Sequence, residues 1–180
     1  MKRSLIFISV GIVTLSGVLF LHSAVYAQSD GLMTEEHIAR IRSNCIEAQS
    51  TLSQLHTSDA LLRVNRGQLY ESISTKLMTP FNSRATLNRF DVTKLSSAAA
   101  GYERELMAFR ANYKSYEEAM SQALKINCTN QPVAFYDNVN DARAKRLVVH
   151  ENTVNLKDII QRYKEEFEAL AKTIPKGVTE

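Results

Sequence analysis

Residues 34–78 read TEEHIARIRSNCIEAQSTLSQLHTSDALLRVNRGQLYESISTKLM, and their spacing decides the fold. One row at seven-residue intervals is Ile38, Cys45, Leu52, Asp59, Arg66 and Ile73. Its partner row is Ile41, Ala48, Leu55, Leu62 and Leu69. Steps of three and four place both rows on one face of an α-helix, the a/d pattern of coiled coils. Asp59 and Arg66 are the two charges that interrupt the stripe. Thr34 can cap the helix start, and Glu35 and Glu36 complement its dipole. Pro80 has no N–H to donate and marks a stop or a kink. The first helix is therefore predicted over about 34–78, with 79–92 as the least regular stretch.

The same period continues toward the C-terminus. Leu95, Tyr102, Phe109, Tyr116 and Ala123 form one row, and Ala99, Leu106, Tyr113 and Met120 the other. This predicts a second helix over about 93–127, with Asp91 or Thr93 at its cap. Thr129-Asn130-Gln131-Pro132 then supplies cap chemistry and a proline for a first turn. A third helix over about 132–174 carries Phe135, Ala142, Val149, Leu156, Tyr163 and Leu170, paired with Val139, Arg146, Thr153, Ile160, Phe167 and Ile174. Pro175 and Gly177 end it. Short connections force neighbouring helices antiparallel. The predicted fold is all-α: an elongated antiparallel three-helix bundle or coiled coil, one domain over 28–180.

Composition excludes several classes. The 180 residues carry 22 Lys plus Arg and 19 Asp plus Glu. Setting aside residues 1–27, which hold Lys2 and Arg3 and no acid, leaves 20 basic and 19 acidic residues. That balance gives no support to a nucleic-acid binder, which needs a basic stripe. With 44% hydrophobic residues the chain can bury a core, unlike a disordered one. Six glycines and three prolines are few for a β-sandwich or a Rossmann domain.

Residues 1–27, MKRSLIFISVGIVTLSGVLFLHSAVYA, read as a secretory signal or an N-terminal anchor. Lys2 and Arg3 form a positive start, and an apolar run follows over 5–21. Val25 and Ala27 occupy the −3 and −1 positions of a small-residue cleavage site. Cleaved or not, positive charge stays inside and residues 28–180 lie outside the cytoplasm. Membrane contact is expected only through residues 5–21, and only if the segment is retained.

In such a compartment two cysteines favour one disulfide, Cys45–Cys128. The midpoint of the two positions, 86.5, falls inside the irregular stretch 79–92. An antiparallel hairpin turning there brings the cysteines level. The same hairpin sets Asp59 level with Lys114, and Arg66 near Glu105, as candidate ion pairs. Arg146 is a third charge on a seam. Such charges fix register or partner choice, or mark a face reserved for self-association.

Catalytic chemistry finds little footing. The sequence has no Gly-x-Ser-x-Gly elbow, no phosphate-cradling glycine loop and no Cys-x-x-Cys. Its histidines offer no His-x3-His pair, and Glu36-His37, or His56 with Asp59, would contribute to a metal site only if distant groups converged. Glu117-Glu118 and Glu165-Glu166 sit beside Lys114 and Lys164 and read as solvated faces. No catalytic residue, metal or cofactor is expected. The aromatic row is the remaining candidate: Tyr102, Phe109, Tyr113 and Tyr116 on the second helix, and Tyr163 and Phe167 on the third. Each tyrosine hydroxyl needs a partner, so this seam is either ordinary core or a groove for a ligand or partner.

The stretch from Thr51 to Met78 with Asn44-Cys45 before it, continuing to Cys128-Thr129 and Phe135-Tyr136-Asp137, resembles signal-bearing helical extracytoplasmic proteins of candidate-phylum (Saccharibacteria-like) bacteria. The resemblance covers most of residues 28–180. It implies the same compartment and helical fold, and that group brings no activity or site residues with it. The expected function is a non-enzymatic extracytoplasmic interaction module at the bacterial cell envelope, binding an envelope protein or itself. The alternative is a binding protein or holdase for an apolar ligand, using the tyrosine-lined seam.

Overall fold

The computed structural model describes residues 33–174, and all regular structure within them is helical. The signal or anchor segment read over 1–27, and the terminators Pro175 and Gly177, lie outside the described residues. The elements are α1 (Glu35–Ser43), α2 (Cys45–Ser72), a π-helical turn (Ile73–Met78), α3 (Thr79–Leu87), α4 (Thr93–Lys125) and α5 (Pro132–Thr173). No helix among the described residues is long and apolar enough to cross a membrane.

The first predicted helix is longer and more broken than its heptads imply. Thr34 caps it, accepting from the His37 amide at 3.3 Å. Asn44 (φ −100°, ψ 9°) interrupts it between α1 and α2. Pro80 neither stops nor ends it. The chain stays helical to Leu87, because the π-turn ends at Met78, two residues ahead of the proline's position, and the Thr79 amide reaches back five residues to the Ser74 carbonyl. A wider turn accommodates the missing N–H and the ring that would break an α-helix. Only Asn88–Val92 of the stretch 79–92 is non-helical.

That reversal is a Schellman turn. The Phe90 amide bonds the Ala85 carbonyl and the Arg89 amide bonds that of Thr86. Arg89 takes the left-handed position usually held by glycine, at φ 61°. Phe90 then packs with Ala85, Val92 and Leu95. Asp91 accepts from the Thr93 amide at 3.0 Å just ahead of α4.

α4 is the centre of the core. Every apolar position of its two predicted rows is buried except Ala99, which is partly so. It runs antiparallel to α5 along its length, and antiparallel to α2. The contacts to α2 concentrate at two ends. At one, Cys45 and Cys128 form a disulfide with Cα atoms 5.4 Å apart. Phe135, Ile41, Leu52 and Val139 pack around it, and Gln49 donates to the Ile126 carbonyl at 2.8 Å. At the other, Tyr102 donates to the Tyr70 carbonyl at 3.0 Å, buried Ser74 donates to Glu103, and Tyr70 and Met78 join the Phe109–Leu156 cluster. Between Leu55 and Tyr70 no apolar residue of α2 enters a core cluster. Leu62 and Leu69, predicted seam positions, are 47% and 56% exposed. The heptads recorded which face of α2 is apolar, and no helix among the described residues lies over the middle of that face.

Candidate functional site

The middle of α2 is held by charge. Asp59, 8% exposed, accepts from Arg146 of α5 at both oxygens, from Nε at 2.7 Å and Nη2 at 3.1 Å. Tyr116 of α4 donates to the same carboxylate at 2.7 Å. One carboxylate thus joins three helices. Burial pushes its pKa up. The Arg146 and Tyr116 hydrogen bonds, with the charges of Arg146 and His56, outweigh that and hold it below its ordinary value of 3.8. The hydrogen bond to Asp59, with the Asp59 charge, raises the pKa of Arg146 against its own desolvation. The pair is ionised throughout the physiological range.

A second polar pair flanks the first. His56 Nε2 meets Glu117 Oε1 at 2.6 Å. The Tyr113 hydroxyl lies buried beside Glu117, and among the described residues neither that hydroxyl nor Glu117 Oε2 completes a hydrogen bond. Burial first, and then Glu117, pushes the Tyr113 hydroxyl well above its ordinary range; Tyr116 is raised by burial and by Asp59. Both phenols are held neutral. The Arg63 guanidinium carbon stands 5.3 Å from the centre of the Tyr113 ring, within cation–π range.

Where α2 stands off, a cleft of about 200 Å³ opens between α2, α4 and α5. Phe109 and Tyr113 of α4 line it with Val149 of α5 and Leu62 of α2; Arg63, Arg66, Arg146 and Asp59 supply its charge, and His150 adds a polar ring. Among the described residues no three His, Cys, Asp or Glu side chains are placed to hold a metal ion.

The predicted register charges do not pair as expected. Asp59 takes Arg146, not Lys114. Lys114 is exposed and faces Glu118 at 3.9 Å. Arg66 is exposed and has no ion pair among the described residues, while Glu105 turns to α5 and accepts from Asn152 at 2.6 Å and Asn155 at 3.2 Å. The hairpin level was nearly right, as the pairs Tyr116–Asp59 and His56–Glu117 record. The partners differ because neighbouring helix positions point about 100° apart, so a level residue can face solvent. The seam aromatics divide similarly. Tyr102, Phe109, Tyr113 and Tyr116 are buried on α4. Tyr163 donates to Asn82 Oδ1 at 2.8 Å, and Phe167, 40% exposed, packs edge-on against Phe81 at 4.9 Å.

Sequence reasoning missed the Asn112–Asn152–Glu105 chain between α4 and α5 and the role of Arg63. The heptad rows exclude Asn152 and Arg63, so periodicity carries no signal for either. Compared with protein families, with curated proteins and with solved structures, the chain finds no match.

Proposed function

We propose that this protein is a non-enzymatic, extracytoplasmic helical interaction module of the bacterial cell envelope, with three long helices in antiparallel array. The observation that carries the reading is the unpartnered middle of α2. Leu62 and Leu69 belong to a heptad seam, yet both are about half exposed, and Leu61 and Val64 beside them are exposed as well. Apolar seam residues that none of the described helices covers suit a surface that another protein covers. The Cys45–Cys128 disulfide supports an oxidising compartment, in keeping with the signal-like residues 1–27. The partner is another envelope protein or a second copy of the chain.

The test is photo-crosslinking in the producing cell, with a benzophenone amino acid at Leu69 and, as control, at Glu165 on the exposed face of α5. A discrete adduct from position 69 alone is expected. An adduct of twice the chain mass identifies self-association; another mass identifies a partner. No adduct from position 69, or equal adducts from both sites, contradicts the proposal.

A second reading, a binding protein for an apolar ligand, is favoured by one observation. Phe109 and Tyr113 of the tyrosine-lined seam also line the cleft beside α2.

A further inference from the structure

We infer that this cleft is a binding site for a small amphipathic organic anion, a monocyclic aromatic or short branched carboxylate. Its apolar body would lie against Phe109, Tyr113, Val149 and Leu62, and its carboxylate would bridge Arg63 and Arg66. The inference deepens the second reading by naming the ligand class.

Size sets the body. A cleft of about 200 Å³ is below the range of about 300–1,000 Å³ typical of drug-sized ligands. An apolar cavity of about 150 Å³ accepts benzene. One ring or a short branched chain is enough to fill the cleft.

Charge sets the head. The lining holds three arginines, one histidine and one carboxylate. That carboxylate, Asp59, is already charge-paired with Arg146 and accepts three hydrogen bonds from Arg146 and Tyr116. Arg63 and Arg66 make no ion pair among the described residues. Nearby Glu71 is engaged by Arg110, and Glu117 by His56. Arg63 and Arg66 are three apart on α2, where like charges repel. An anion between them removes that repulsion and gains charge-assisted hydrogen bonds, to which arginine's planar fork is suited. The Tyr113 ring holds the Arg63 guanidinium at the cleft mouth. Tyr113 and Tyr116 stay neutral, so they bring no negative charge to oppose a carboxylate.

The test is fluorine NMR of the purified full-length protein with three probes of one shape: 4-fluorophenylacetate, 4-fluorobenzyl alcohol and 4-fluorobenzylamine. The acid is expected to bind saturably, about tenfold tighter than the alcohol, with the amine weakest. Arg63→Gln with Arg66→Gln should reduce the acid to the affinity of the alcohol. Both side chains are exposed, and circular dichroism checks that helix content is unchanged. Equal binding of acid and alcohol overturns the anion inference and leaves the apolar-ligand reading standing. Binding of neither overturns both. Competition by inorganic phosphate as strong as by the acid identifies a bare-anion site and overturns the role of the apolar wall. Unchanged acid binding in the double variant overturns the role of the arginines.

Discussion

Asp59 of α2 and Arg146 of α5 lie 87 residues apart in sequence and meet in a two-point ion pair, with Nε–Oδ2 at 2.7 Å and Nη2–Oδ1 at 3.1 Å. The pair crosses the ridge of α4 at Tyr116. With His56–Glu117 and Arg63 over the Tyr113 ring, it ties the middle of α2 to the rest of the molecule, because the apolar contacts of α2 lie toward its two ends.

Removing either partner has unequal effects. Arg146→Ala strands a carboxylate that is 8% exposed. It should cost about 3 kcal/mol, the low end for a broken buried pair because Arg146 itself is half exposed. Asp59→Asn keeps an acceptor for Tyr116 and should cost about 1–2 kcal/mol. Denaturant unfolding checks the order. The folded pKa of Asp59 is lowered. Its stabilisation is therefore full above the unfolded value of about 3.9, and is lost as pH falls through the folded value. The acid limb of the stability curve below about pH 4 should flatten in Asp59→Asn.

Alkali should act through the tyrosines. Burial raises Tyr102, Tyr113 and Tyr116 above their ordinary value of 10.0, and pushes Tyr163 up to about 12. A raised folded pKa means stability that is full below the unfolded value, near pH 10, and lost as pH rises through the folded values. Tyrosinate absorbance from these four residues should grow together with loss of helical circular dichroism. Ionisation of all four in a chain that keeps its helices would contradict the packing described.

Two backbone positions should accept stabilising substitutions. Gly67 lies inside α2, and a Cβ built there meets nothing within 4 Å. Gly67→Ala should add about 0.5–1 kcal/mol through helix propensity. Arg89 sits at φ 61°, so Arg89→Gly should relieve a left-handed strain of about 1 kcal/mol. Each should raise Tm by about 2–4 °C.

Reduction of Cys45–Cys128 opens a loop with a sequence separation of 83. The chain-entropy model gives about 4–5 kcal/mol for such a loop. A Cys45→Ala, Cys128→Ala variant should unfold at lower denaturant, and its exchange protection should fall first at α1 and the start of α2. An unchanged midpoint would show that the Phe135 cluster alone holds that end.

How far the sequence could be read differs between helices. α4 was legible throughout because it is buried between two others, and there apolar spacing and burial coincide. The cysteine pairing was legible because it depends only on hairpin level. α2 was legible as a helix but not as an open face, since Leu62 and Leu69 have the same period whether or not a partner covers them. The π-turn before Pro80 has no apolar signature. The Asp59–Arg146 pair joins helices that are not consecutive, which hairpin arithmetic does not address. Lys114 shows the complementary limit, with correct level and the wrong direction.

Hydrogen exchange along α2 tests most directly whether its middle is an uncovered face. Helix amides open more readily where few apolar contacts hold the segment. Segments spanning 60–69 should exchange faster than 46–55 and 70–78 on either side, and faster than 102–120 of α4. Uniform protection along α2 in dilute protein would show the middle covered by its own chain, and would contradict the binding face on which the functional reading rests.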